Sequence, residues 1–108
     1  MLQQYKVLTT ITGYFTSMDL YLDGHHILLH YDGNESYKST DMLMLDDTLK
    51  LQWVGYGLTG QQWKVSIQAV PIVGSAQDPK TWSKSGQIPP GPQGGSTLYA
   101  EIPIPITG

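Results

Sequence analysis

The sequence has no cysteine, no arginine and few charged side chains of either sign. Six lysines and nine carboxylates make up 14% of its 108 residues, whereas charged residues make up about 25% of a typical soluble domain. The absence of cysteine excludes a disulfide scaffold. Because guanidinium groups are missing and carboxylates outnumber the scattered lysines, we expect no basic stripe and no nucleic-acid partner.

Long apolar segments are missing as well. No run approaches the ~20 residues that cross a bilayer, so we expect no membrane span. Residues 1–6 lack the apolar centre of a signal peptide, which leaves the cytoplasm and a trimmed secreted domain as alternative locations. The chain is 40% hydrophobic with a net charge of −3, a balance that argues against disorder. Its length predicts a single domain over residues 1–108.

The residues that are plentiful favour β-strands. Alanine and glutamate are rare, whereas threonine, tyrosine, valine and isoleucine recur in short alternating runs between turn-forming residues. The predicted strands are 5–12, 18–22, 25–31, 42–45, 49–54, 63–70, 80–85 and 97–106. Eight short strands without crossover helices predict an all-β fold, an antiparallel β-sandwich of the jelly-roll or immunoglobulin-like kind. A small barrel is the alternative.

The first predicted hairpin is centred on Asp23-Gly24. This dipeptide favours a two-residue type I′ turn, in which both central residues have positive φ. The turn pairs Leu22 with His25, Leu20 with Ile27 and Met18 with Leu29. These residues and Tyr31 then share one apolar face, on which we expect His25 to be partly covered. A slip of one residue would mix apolar and polar faces, so turn and pattern agree on the register.

A second hairpin is predicted between strands 49–54 and 63–70. A three-residue loop, Gly57-Leu58-Thr59, would place the apolar positions of both strands on one face. Trp53 would then lie opposite Trp63, which is most simply explained as packing in the core.

The C-terminal residues 97–106 are predicted to form an edge strand. Ile102, Ile104 and Ile106 alternate with Pro103 and Pro105, which cannot donate a hydrogen bond to a neighbouring strand. The uncharged segment 86–95 before this strand is predicted to be a long loop, either functional or a plain surface excursion.

Metal and catalytic signals are weak. On a strand, His26 and His30 would lie about 13 Å apart at ~3.3 Å per residue, too far to bind one zinc ion unaided. The loop Asp32–Ser36 offers oxygen ligands for calcium but lacks the spacing of a calcium loop, so a turn is the preferred interpretation. No nucleophile, phosphate-binding or dinucleotide motif is present. We therefore expect no metal, no cofactor and no catalytic activity.

Aromatic side chains next to hydrogen-bonding groups give the most usable functional signal. The predicted ligand-binding residues are Asp19, Tyr21, His26, His30 and Trp82. Exposed rings beside polar groups bind sugars and form protein hot spots, and the low charge suits a neutral ligand. The main hypothesis is therefore a non-catalytic module that binds a glycan or a similar neutral polar ligand. The alternative is an interaction protein that forms a homo- or hetero-oligomer through its outward aromatic face.

Overall fold

The residues that the structure describes form nine β-strands, and most of these strands have apolar and polar residues in alternation. The computed structural model describes residues 2–72, 80–90, 95–104 and 106. The strands are β1 (Gln3–Thr12), β2 (Ser17–Leu22), β3 (His25–Ile27), β4 (His30–Tyr31), β5 (Ser36–Leu45), β6 (Thr48–Tyr56), β7 (Gln62–Pro71), β8 (Thr81–Gln87) and β9 (Gly95–Pro103).

The strands form two antiparallel sheets that pack face to face as a β-sandwich, which confirms the predicted fold class. One sheet has five strands in the order β4-β5-β1-β7-β8, here called the five-stranded sheet. The four-stranded sheet has the order β3-β2-β6-β9. No helix among the described residues is long and apolar enough to cross a membrane.

The core lies between the two sheets and contains the inward side chains of alternating positions. Val7, Ile11, Leu51, Trp53 and Val65 are fully buried. The indole rings of Trp53 and Trp63 meet across the core, with their centroids 4.8 Å apart. The predicted inward faces of strands 49–54 and 63–70 are therefore confirmed.

The first hairpin has the predicted register. Leu20 pairs with Ile27 and Leu22 pairs with His25. Asp23 and Gly24 have φ angles of 49° and 82°, the positive values that a type I′ turn requires. His25, however, is exposed rather than partly covered.

The prediction of one continuous strand over residues 25–31 is wrong. Strand β3 ends at Ile27 in the four-stranded sheet, and β4 pairs with β5 in the five-stranded sheet. Leu28 and Leu29 cross between the sheets, so the predicted pairing of Met18 with Leu29 does not form. Tyr31 consequently lies outside the core and is 62% exposed.

The prediction that strands 49–54 and 63–70 form a hairpin is also wrong. Strand β6 pairs with β2 and β9, whereas β7 pairs with β1 and β8, so the two strands belong to different sheets. The chain crosses the sandwich between Tyr56 and Gln62. Trp53 and Trp63 face each other because the sheets stack, and both sheets turn their apolar positions inward.

Strand β9 is an edge strand, as predicted from its prolines. Ile102, Ile104 and Ile106 are buried. The Ile104 amide donates to the Asp47 carbonyl of the β5–β6 connection, so the nitrogen of Pro103 lies on the opposite, free side. Pro105 is outside the described residues, as are residues 91–94 of the predicted loop. At the start of that loop, Ile88 is buried.

Candidate functional site

Three of the five predicted ligand-binding residues form one cluster. Tyr21 and His26 are cross-strand partners on β2 and β3, and their rings lie 5.1 Å apart. The His26 Nε2–H donates to Asp19 Oδ1 at 3.3 Å. The side chains of His26 and Asp19 are about half exposed, so both can also contact a ligand.

The type I′ turn positions this cluster. Because the turn fixes the register of β2 and β3, Tyr21 and His26 must point to the same, outward side of the four-stranded sheet. Asp19 is two residues before Tyr21 on β2 and therefore shares that side. The grouping is thus a direct consequence of the Asp23-Gly24 dipeptide and the two-residue period of a strand.

A cleft of about 310 Å³ lies next to this cluster. His26 and Asp19 line it together with the following aromatic, apolar and hydroxyl side chains: Phe15, Thr16, Leu28 and Tyr37. Phe15 and Tyr37 pack against each other, with their ring centroids 6.0 Å apart. Aromatic rings beside a few hydrogen-bonding groups are the usual lining of a small-molecule site, and the volume lies at the lower end of the range for such sites.

His30 and Trp82 are not part of this cluster. His30 is on β4 in the other sheet, where it pairs with Lys38. Trp82, which we predict from the sequence to be an exposed ring, is instead a cross-strand neighbour of the buried Ile67 and packs against the core. The structure therefore corrects both placements. His30 lies in the five-stranded sheet because the chain crosses between the sheets at Leu28 and Leu29. Trp82 points inward because its register with β7 places it opposite the buried Ile67.

A second, larger cleft of about 610 Å³ was not anticipated from the sequence. Its lining is mostly neutral and polar and includes Asn34, Gln61, Gln62, Ser85 and Gln87. One cation and one carboxylate, Lys64 and Glu35, also line it. These residues come from the β4–β5 turn, from β7 and the residue before it, and from β8. Only the strand order of the five-stranded sheet brings these segments together. No spacing in the sequence signals that grouping.

The loop Asp32–Ser36 closes the hairpin between β4 and β5. Gly33, Asn34 and Glu35 have positive φ angles, and the Asp32 amide donates to the Ser36 carbonyl at 2.8 Å. These features are those of a tight turn. Among the described residues, no group of three or more histidine, aspartate or glutamate side chains could hold a metal ion.

Comparisons of the chain with protein-family models, with curated proteins and with solved structures found no match.

Proposed function

We propose that the protein is a non-catalytic module that binds a glycan or a similar neutral polar ligand in the cleft beside His26. The observation that supports this proposal is the combination of the His26–Asp19 hydrogen bond with two aromatic rings around one small cleft. The Asp19 carboxylate can accept hydrogen bonds from sugar hydroxyls, and the His26 imidazole can donate hydrogen bonds to them or accept from them. An aromatic ring can pack against the apolar face of a sugar.

The electrostatics of the cleft favour an uncharged ligand. Among the described residues that line it, only Asp19 carries a carboxylate, and that carboxylate already accepts a hydrogen bond from His26. None of the lining residues that the structure describes is a lysine, so these residues offer neither a phosphate nor a carboxylate ligand a fixed positive partner of the usual kind. A neutral hydroxylated molecule can use the same groups without burying an unpaired charge.

A glycan array followed by calorimetric titration with the glycans that bind tests this proposal. We expect His26→Ala and Asp19→Asn to weaken binding by up to about tenfold each, since one hydrogen bond contributes ~0.5–1.5 kcal/mol. His30→Ala is the matched control, because this exposed histidine lies in the other sheet. It should bind as the unmodified protein does.

Two outcomes would contradict the proposal. One is an array on which no glycan binds. The other is binding that is lost on Gln62→Ala and kept on His26→Ala, which would place the ligand in the larger, amide-lined cleft.

A further inference from the structure

The outer side of strand β5 is unpaired over most of its length. On one side, β5 pairs with β1 along all ten of its residues. On the other side, β4 covers only Tyr37 and Lys38. No strand among the described residues pairs with this side of the following seven residues, Ser39–Leu45, here called the free edge.

The backbone groups of the free edge point away from the sheet at alternate residues. The amide and carbonyl of Ser36 both bond within the β4–β5 turn, to Gly33 and Asp32 respectively. Because these groups alternate in direction along an antiparallel strand, Thr40, Met42 and Met44 direct their N–H and C=O groups to the same side as Ser36. The free edge thus presents three donors and three acceptors to an added strand.

Polar side chains without a partner lie on the inner face beside this edge. Thr9 is 1% exposed and Ser39 is 6% exposed. Their hydroxyl oxygens and the Oδ2 atom of Asp41 are buried and have no hydrogen-bond partner among the described residues. Ser39 is the cross-strand partner of Thr9, and Asp41 is the next inward residue of β5. An unpaired buried acceptor destabilises the fold, and a charged one does so more strongly.

Asp41 is also the feature that distinguishes this edge from the others. The edge strand β9 is protected by Pro103, the edge strand β3 has only three residues, and Lys84 is exposed on the edge strand β8. On the free edge of β5, protection comes from an inward carboxylate, which a matching cation would neutralise. The nearest cation along the strand, Lys38, already pairs with Asp32 at 3.1 Å.

We propose that the free edge of β5 binds an extended peptide segment that carries a lysine or an arginine opposite Asp41. The segment adds as an antiparallel strand, and Thr40, Met42 and Met44 supply the backbone hydrogen bonds. Asp41 occupies a non-hydrogen-bonded position on this side, where facing side chains are closest. Its carboxylate therefore pairs with the cation, while Met42 and Met44 contact apolar side chains on the outer face.

Fluorescence anisotropy with a labelled peptide tests the proposal. The probe is acetyl-Thr-Val-Val-Lys-Thr-Ser-amide, whose lysine faces Asp41 when its third residue faces Met42. The two control peptides carry glutamate in place of the lysine, or N-methyl groups on the residues opposite Thr40, Met42 and Met44. We expect the lysine peptide to bind at least tenfold more tightly than the glutamate peptide, and the N-methylated peptide not to bind.

Two variants of the protein show whether the named groups are responsible. Asp41→Asn should abolish the preference for lysine over glutamate. Met42→Pro should abolish binding of both peptides, because it removes an outward donor and no hydrogen bond to β1. Circular dichroism establishes that both variants are folded. His26→Ala should bind the peptide normally, so failure of glycan binding and failure of peptide binding are distinguishable.

Three results would overturn the proposal: no change in anisotropy with millimolar lysine peptide, equal binding of the lysine and glutamate peptides, or a lysine preference that persists in Asp41→Asn. Sedimentation velocity measures whether a second copy occupies the edge instead. A dimer that Met42→Pro dissociates, without any peptide binding, would overturn the proposal in favour of self-association.

Discussion

At the scale of single residues, two glycines make room for the two large rings of the core. A Cβ atom on Gly55 would overlap the six-membered ring of Trp53, and one on Gly86 would lie 2.6 Å from Trp63 Cζ2. Both rings also have a partner for their indole N–H, Met18 Sδ for Trp53 and Ser96 Oγ for Trp63. Each indole ring is thus held by a contact at its N–H group and by close packing against a glycine.

Gly55→Ala and Gly86→Ala should each lower the free energy of unfolding by about 1–3 kcal/mol, the usual cost of overpacking a core. Urea denaturation measures this change. Ser83→Ala, on the exposed side of β8, is the control and should change stability by less than about 0.5 kcal/mol. An unchanged midpoint for both glycine variants would show that the rings can move aside without cost.

At the scale of elements, the β2–β3 turn is fixed to the rest of its sheet by Asp23. The Lys50 amide donates to Asp23 Oδ1 at 2.7 Å, and the Asp23 amide donates to the Lys50 carbonyl at 2.8 Å. This side chain therefore does more than permit a positive φ angle. It connects the turn to β6 and extends the pairing of β2 with β6 by one position.

Asp23→Ala should lower the free energy of unfolding by about 1–2 kcal/mol, because the Lys50 amide loses its acceptor and alanine is strained at positive φ. Asp23→Asn should cost clearly less, since asparagine keeps an acceptor oxygen and tolerates this conformation. Thermal denaturation followed by circular dichroism compares the two. Equal losses would mean that the negative charge, rather than the acceptor or the φ angle, is what matters.

Also at this scale, the division of residues 25–31 between two sheets could not be predicted from the sequence. Ile27, Leu28 and Leu29 form a continuous apolar run, which looks the same whether it continues one strand or crosses between sheets. The pairing of β4 with β5 decides the matter, and β5 lies in the other sheet. The same pairing separates His30 from His26 and leaves Leu28 74% exposed.

At the scale of the whole molecule, the two sheets depend on each other. Trp53 belongs to the four-stranded sheet and Trp63 to the five-stranded sheet, and the rings touch across the core. Phe15 also packs on Trp53 with an edge-to-face contact, 5.5 Å between centroids. Neither sheet can bury its apolar face without the other, so separation of the sheets should coincide with loss of the strands.

We therefore expect one cooperative unfolding transition. Tryptophan fluorescence, which reports on the core, and far-ultraviolet circular dichroism, which reports on the strands, should give the same midpoint in urea. A fluorescence change at clearly lower urea concentration than the loss of strand signal would contradict this expectation. It would indicate that the sheets separate while they remain paired within themselves.

The sequence by itself determined the fold class, the inward face of most strands and the first hairpin, because these depend on local chemistry. Alternation with a period of two sets each face, and Asp23-Gly24 sets the turn that brings Tyr21 to His26. Only the tertiary structure decided which strands share a sheet. Backbone hydrogen bonds are the same for every pair of strands, and two inward apolar faces match equally well as neighbours or across a core, as Trp53 and Trp63 do. Charged residues are scarce in this sequence, and only the tertiary structure places one of the few carboxylates, Asp41, on the inner face beside the unpaired edge of β5.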